Sequence, residues 1–96
     1  MKQIILSPKA KSDLNSIWDY TADKWGLEQA ETYIRELWDK LQPVSTNLSS
    51  STEIDDIREG YRKIRSGSHV IFFKATEINI DVIRILHQRM DFDRHL

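Results

Sequence analysis

Residues 61–87 read YRKIRSGSHVIFFKATEINIDVIRILH, and this stretch decides the fold. Its Ile, Val and Phe residues favour extended backbone and recur with a period near two. Three such segments, Tyr61 to Arg65, His69 to Ala75 and Ile78 to His87, are separated by the tight turns 66–68 and 77–79. We therefore expect three strands that pair in chain order as an antiparallel meander.

Upstream of residue 60 the apolar period changes to 3.6, which is typical of helices. Ser7 followed by Pro8 favours a helix start, and Gly26 suits a helix end. Two helices are expected at roughly 8–25 and 28–45, and the short link between them predicts an antiparallel hairpin. With a strand at 2–6, residues 1–96 are expected to form a single α+β domain: a two-layer sandwich with the N-terminal strand and the helical hairpin packed on the meander.

The segment 45–53 contains four Ser and two Thr, and it is predicted to be a loop. Pro43 is expected to end or kink the second helix, because proline disrupts a helix interior.

The composition excludes several classes of function. The chain has no Cys, which rules out disulfides and thiolate metal sites, and no apolar run reaches the ~20 residues of a membrane helix. The spacing of His69, His87 and His95 fits no zinc motif, and His95 is expected in a mobile tail. We expect a cytoplasmic protein without metal or cofactor.

The net charge of −1 hides an uneven distribution. Residues 1–57 carry six Lys/Arg against ten Asp/Glu, whereas residues 58–96 carry eight against five. A basic C-terminal half could meet an acidic protein or a nucleic acid, or it could simply solvate one face of the sheet.

The basic residues of this half form a cluster. Strand alternation places Tyr61, Lys63 and Arg65 on one face and Arg62 and Ile64 on the other. The first face suits phosphate contacts or an acidic protein surface. Further candidates for partner contacts in the strand half are Arg58, Arg84, His87 and Arg89.

Arg84 lies in the apolar run 82–86. It either pairs with a carboxylate or carbonyl group inside the fold, because an unpaired buried charge is very costly, or it is exposed to contact a partner. Trp18, Trp25 and Trp38 belong to the helical hairpin. Most hairpin aromatics are expected in the core, but some apolar surface could remain exposed for a partner.

Several segments in both halves follow one family pattern in order and spacing. They are Ile17 to Thr21, Trp25 to Ala30, Asp55 to Lys63, Gly67 to Phe73, Val82 to His87 and Arg89 to Asp91. These segments resemble the ParE toxins of type II toxin–antitoxin systems, and the resemblance covers nearly the whole chain. The Ser/Thr run at 45–53 departs from relatives, which usually carry a Pro/Gly/Arg-bearing turn there.

The resemblance implies a RelE/ParE-like fold and a toxin that traps DNA gyrase on cleaved DNA, with no catalytic residue. Its partners would be a ParD-like antitoxin, in a hetero-oligomer, and gyrase with its DNA. The alternative is a ribosome-dependent mRNA endoribonuclease of the RelE type, which shares the fold. His69 stands where those enzymes tend to place arginine, and residues 91–96 lack their tyrosine. Lys63, Arg65 and Arg89 would remain as catalytic candidates.

Overall fold

The computed structural model describes residues 2–96, which form two helices on one side of a five-stranded sheet. The strands are β1 (Gln3–Leu6), β2 (Thr52–Glu53), β3 (Tyr61–Ser66), β4 (His69–Ala75) and β5 (Asn79–His87), and the helices are α1 (Pro8–Trp25) and α2 (Leu27–Thr46). Short 3₁₀ turns occupy Leu48–Ser50 and Phe92–Arg94. The predicted α+β fold and both helices are confirmed.

The sheet has the order β1-β5-β4-β3-β2. Strands β3, β4 and β5 pair antiparallel in chain order, as predicted, and β2 adds two residues beside β3. The sheet as a whole is mixed, because β1 lies parallel to β5, with Leu6 opposite Val82. Beyond Val82, β5 therefore pairs with β4 on one side and, within residues 2–96, with no strand on the other.

Local sequence chemistry fixes the hairpin. The Ser7 hydroxyl oxygen accepts a hydrogen bond from the Ala10 N–H at 3.0 Å and caps α1, whose first residue is Pro8. Gly26 alone separates the helices, and its φ of +96° is one that residues with a Cβ rarely adopt. Neither α1 nor α2, within residues 2–96, combines the length and apolar character that a membrane crossing requires.

Apolar side chains cover both faces of the sheet. The main core joins the helices to the near face through residues such as Leu37, Leu41, Phe73 and Val82. A smaller cluster on the far face contains Ile54, Phe72 and Leu86, with Phe92 and Leu96 packed against it. Two buried faces explain why β4 is continuously apolar from residue 70 to 73.

The connecting segments differ from the expectations in two respects. Pro43 does not end α2, which runs three residues further to Thr46. The segment 45–53 is not a simple loop, since it contains the end of α2, a 3₁₀ turn and β2. Arg62 organises this segment: its guanidinium donates to the Ser51 hydroxyl at 2.7 Å and to the Leu48 carbonyl at 2.9 Å.

Candidate partner-binding surfaces

A wide groove lies between the helical hairpin and the end of β5. It has a volume of about 1040 Å³, and we call it the hairpin groove. Its wall and floor include aromatic and aliphatic side chains, of which Tyr20, Trp25 and Met90 are 63%, 68% and 49% exposed. Large apolar side chains left open to solvent around one concavity are typical of protein-binding surfaces.

Two histidines face each other in this groove. His69 opens β4 and His87 closes β5, and the register places them directly opposite, with their rings 5.4 Å apart in an edge-to-face arrangement. The Tyr33 hydroxyl from α2 lies 2.6 Å from Nδ1 of His69. Burial lowers the pKa of His69, the neighbouring His87 lowers it further, and Asp13 opposes the shift.

An ion pair closes the groove at the β5 edge. The carboxylate of Asp13 on α1 accepts from Nε and Nη2 of Arg84, both at 2.9 Å, and from the Ile85 N–H at 2.9 Å. The hydrogen bond to Asp13 raises the pKa of Arg84. Of the two possibilities for Arg84, pairing within the fold is confirmed.

A β-bulge makes this ion pair possible. Phe72 pairs with Arg84 but Phe73 pairs with Val82, which leaves Ile83 as an extra residue on β5. The extra residue reverses the alternation, so that Val82 and Ile85 both reach the main core although they are three positions apart. Arg84 is thereby kept out of that core and meets Asp13.

The far face of the sheet carries a second, smaller groove. It has a volume of about 470 Å³, and we call it the cationic groove. Thr52, Lys63, Arg65, Val70 and Gln88 line it, together with Ser50 and Ile64. Lys63 lies opposite Phe72 and Arg65 opposite Val70, and both apolar partners belong to the far-face cluster. Cross-strand partners share a face, so the predicted alternation of Lys63 and Arg65 is confirmed.

The remaining candidates are distributed over both halves. Trp38 packs against the main core, whereas Trp25 is the hairpin tryptophan that lines the groove. Tyr61 packs on the far-face cluster with the Lys74 amine 5.3 Å from its ring centre. The others stay outside both grooves: Trp18 is half-buried on α1, Arg58 is exposed before β3, and Arg89 is exposed after β5.

Sequence reasoning missed Asp13, Tyr33 and the pairing of His69 with His87. Counting residues outward from the β4–β5 turn predicts approximately which residues of the two strands lie opposite each other. The bulge at Ile83 shifts this register by one residue, so the count does not pair His69 with His87. The tail that is expected to be mobile makes contacts with the rest of the fold. The Phe92 ring lies 5.0 Å from that of Phe72, and the His95 carbonyl accepts from Nη1 of Arg84 at 3.2 Å.

No cluster of three or more His, Asp or Glu with metal-binding geometry occurs within residues 2–96.

These features define a small α+β protein with two helices on a mixed sheet and an apolar groove beside the hairpin. A solved structure has the same fold: a chain described as "Chromosomal ParDE TA system from P. aeruginosa" aligns with a TM-score of 0.75. The alignment covers 91% of this chain and 96% of that chain at 19% identity, which establishes the shared fold.

Sequence comparison establishes the family. The family described as "ParE toxin of type II toxin-antitoxin system, parDE" matches residues 4–92. A protein named Toxin ParE1 from Mycobacterium tuberculosis is 50% identical over 93 residues, covering 96% of this chain and 95% of the relative. Toxin ParE1 from Caulobacter vibrioides is 40% identical over 96 residues, covering 100% and 99%. The chain belongs to the ParE toxin family of type II toxin–antitoxin systems, and the resemblance inferred from the sequence is confirmed.

Proposed function

We propose that this toxin poisons DNA gyrase in the cytoplasm by binding it and stabilising the complex with cleaved DNA. A ParD-like antitoxin neutralises it by forming a hetero-oligomer. The toxin acts as a binding protein, and none of its side chains makes or breaks a covalent bond.

The division of the surface is the observation that carries this proposal. The aromatic hairpin groove and the cationic groove lie on opposite sides of one sheet, which gives a small chain two chemically different contact faces. We assign the hairpin groove to the antitoxin, with Trp25, Arg84 and His87 as contacts and Trp18 and Trp38 supporting them. We assign Arg58, Tyr61, Lys63, Arg65 and Arg89 to the gyrase–DNA complex.

The direct test combines purified toxin with gyrase, supercoiled plasmid and ATP, followed by denaturation and proteolysis. Linear DNA with protein-blocked ends should accumulate in proportion to toxin. Translating ribosomes with a defined mRNA form the parallel arm and should show no new cleavage. Cleaved mRNA with unaffected gyrase would reverse the assignment and make Lys63, Arg65 and Arg89 catalytic candidates.

The antitoxin assignment has its own test. Trp25→Asp places a charge in the hairpin groove and should weaken binding of the cognate ParD-like antitoxin, since central aromatic anchors contribute ~2 kcal/mol or more to an interface. Ile78→Asp is the matched control, because Ile78 is 72% exposed in the β4–β5 turn and does not line the groove. Equal affinities of the two variants, measured by calorimetry, would exclude this groove as the antitoxin site.

A further inference from the structure

We propose that the cationic groove is a binding site for the phosphate backbone of duplex DNA, so that the toxin touches the DNA of the gyrase complex directly. This inference rests on the proposed function and identifies which component of that complex the far face contacts.

The two cations of the groove are available for an external anion. Within residues 2–96, neither Lys63 nor Arg65 has a carboxylate within ion-pairing distance. The Lys63 amine lies 6.0 Å from the centre of the Phe92 ring. Among residues 2–96, the Arg65 guanidinium donates only through Nε, to the Gly67 carbonyl at 3.0 Å, which leaves its two terminal nitrogens available for an anion.

Two acids in the flanking segments are already engaged. Glu53 pairs with Arg62 at 3.1 Å, and Asp91 pairs with Arg94 at 3.6 Å. None of the residues that line the cationic groove is acidic. The lining of the groove therefore carries two cations and no acid, although the whole chain carries a net charge of −1.

The other groove residues fit a phosphate better than a protein. Hydroxyl and amide side chains are, with Lys and Arg, the groups that contact DNA phosphates, and Thr52 and Gln88 supply them here. Both are exposed. A protein interface is usually built around buried aromatic anchors, and those of this molecule lie in the hairpin groove. Polar, cationic surfaces are characteristic of DNA interfaces.

Strand geometry adds the spacing. Lys63 and Arg65 are two positions apart on β3, so their side chains leave the same face at positions about 6.6 Å apart along the strand. Two cations in a row on a rigid strand, flanked by neutral donors, can follow successive phosphates of one DNA strand. Such contacts recognise the backbone and not the sequence.

The test measures anisotropy of a short fluorescein-labelled DNA duplex of mixed sequence with purified toxin alone, as a function of salt. Each phosphate contact contributes about −0.9 to the slope of log affinity against log salt. We expect a slope near −2 for the toxin and a reduction in magnitude of about 0.9 for Lys63→Gln and for Arg65→Gln. Lys11→Gln is the matched control, since Lys11 is exposed on α1 on the other side of the sheet, and it should leave the slope unchanged.

Several results would overturn the inference. These are no duplex binding at low salt, equal slopes in all variants, or tighter binding of single-stranded RNA than of duplex DNA. A further arm measures binding of the double variant Lys63→Gln/Arg65→Gln to gyrase without DNA. Affinity equal to that of the unmodified toxin supports a DNA contact, whereas lost affinity means that the groove contacts gyrase protein. Gyrase poisoning by a toxin that fails these tests would leave the proposed function intact.

Discussion

The carboxylate of Asp13 holds the guanidinium of Arg84 by two hydrogen bonds of 2.9 Å, which links the first helix to the last strand. The same carboxylate accepts from the Ile85 N–H, on the edge of β5 that β1 does not reach. The Asp13 side chain thus satisfies a backbone N–H at the open edge of β5 and also neutralises the charge of Arg84, which lies in an apolar run. Both side chains are about 85% buried, with exposures of 14% and 16%.

Asp13→Ala should destabilise the protein strongly, because it leaves the largely buried Arg84 charge without a carboxylate and with only the His95 carbonyl as an acceptor within residues 2–96. Breaking a buried pair costs about 3–5 kcal/mol, and the slight exposure of this pair reduces the expected cost to about 2–4 kcal/mol. Urea denaturation should show the loss. The double change Asp13→Leu/Arg84→Met removes both charges and should cost less than Asp13→Ala alone. A larger cost for the double variant would show that the ion pair itself is not the stabilising element.

Tyr33→Phe should loosen the β3–β4 turn. The Tyr33 hydroxyl accepts from the Ser68 N–H at 3.1 Å and lies 2.6 Å from Nδ1 of His69, so its loss leaves both groups without this partner. We expect a cost of about 1–2 kcal/mol, seen as a lower melting temperature. Tyr20→Phe is the matched control, because in the part of the chain that the structure describes the Tyr20 hydroxyl has a single hydrogen bond, which it accepts from the exposed Lys24 amine at 3.1 Å. Equal melting temperatures for the two variants would contradict the role given to Tyr33.

Stability should depend on pH through His69. Its folded pKa lies below that of an unfolded histidine, about 6.5, because burial and His87 disfavour the imidazolium. As pH falls below about 6.5, the unfolded chain therefore binds the proton first. The contribution of His69 is present above that pH and is lost as pH falls through the folded pKa. Denaturation midpoints across this range should fall less steeply for His69→Gln than for the unmodified protein. His95→Gln, at an exposed position, should retain the steeper fall.

The parts of the fold that depend on local chemistry could be predicted from the sequence. Capping by Ser7 and the left-handed backbone at Gly26 are encoded within a few residues, and the helix bounds therefore agree with those observed. The parallel placement of β1 could not be predicted, because it depends on pairing between residues more than seventy positions apart. The bulge at Ile83 could not be predicted either, and its carbonyl is contacted over a similar separation. Here the Ser7 hydroxyl donates to the Ile83 carbonyl at 2.7 Å.

The residues of the candidate site also divide into those that local sequence could predict and those that only the tertiary fold brings together. Alternation on β3 was sufficient to place Lys63 and Arg65 on one face. The hairpin groove is assembled from α1, α2 and β5, so no single segment carries its pattern. Asp13 is indistinguishable in sequence from the solvent-exposed Asp19 and Asp23 on the same helix, and only the tertiary fold brings it to Arg84.

Removal of the residues after Met90 tests how the C-terminal tail contributes to toxicity. The tail could contact the target directly, or it could stabilise the folded toxin. Phe92 stacks on Phe72, and Leu96 packs on the same far-face cluster. Truncation after Met90 should therefore lower the melting temperature as well as toxicity. Phe92→Ala should cost about 1–3 kcal/mol, less than a fully buried Phe because Phe92 is only partly buried. At about 4–8 °C per kcal/mol for a domain of this size, the loss is measurable by thermal denaturation.

Phe92→Leu keeps an apolar side chain over Phe72 and is the matched control for this experiment. If the tail acts through packing, Phe92→Leu should recover both stability and gyrase poisoning relative to Phe92→Ala. Asp93→Asn changes an exposed tail residue without changing this contact, and it should affect neither property. A truncated toxin that melts like the intact protein but no longer poisons gyrase would contradict the packing role, because the tail would then act through direct contact with the target.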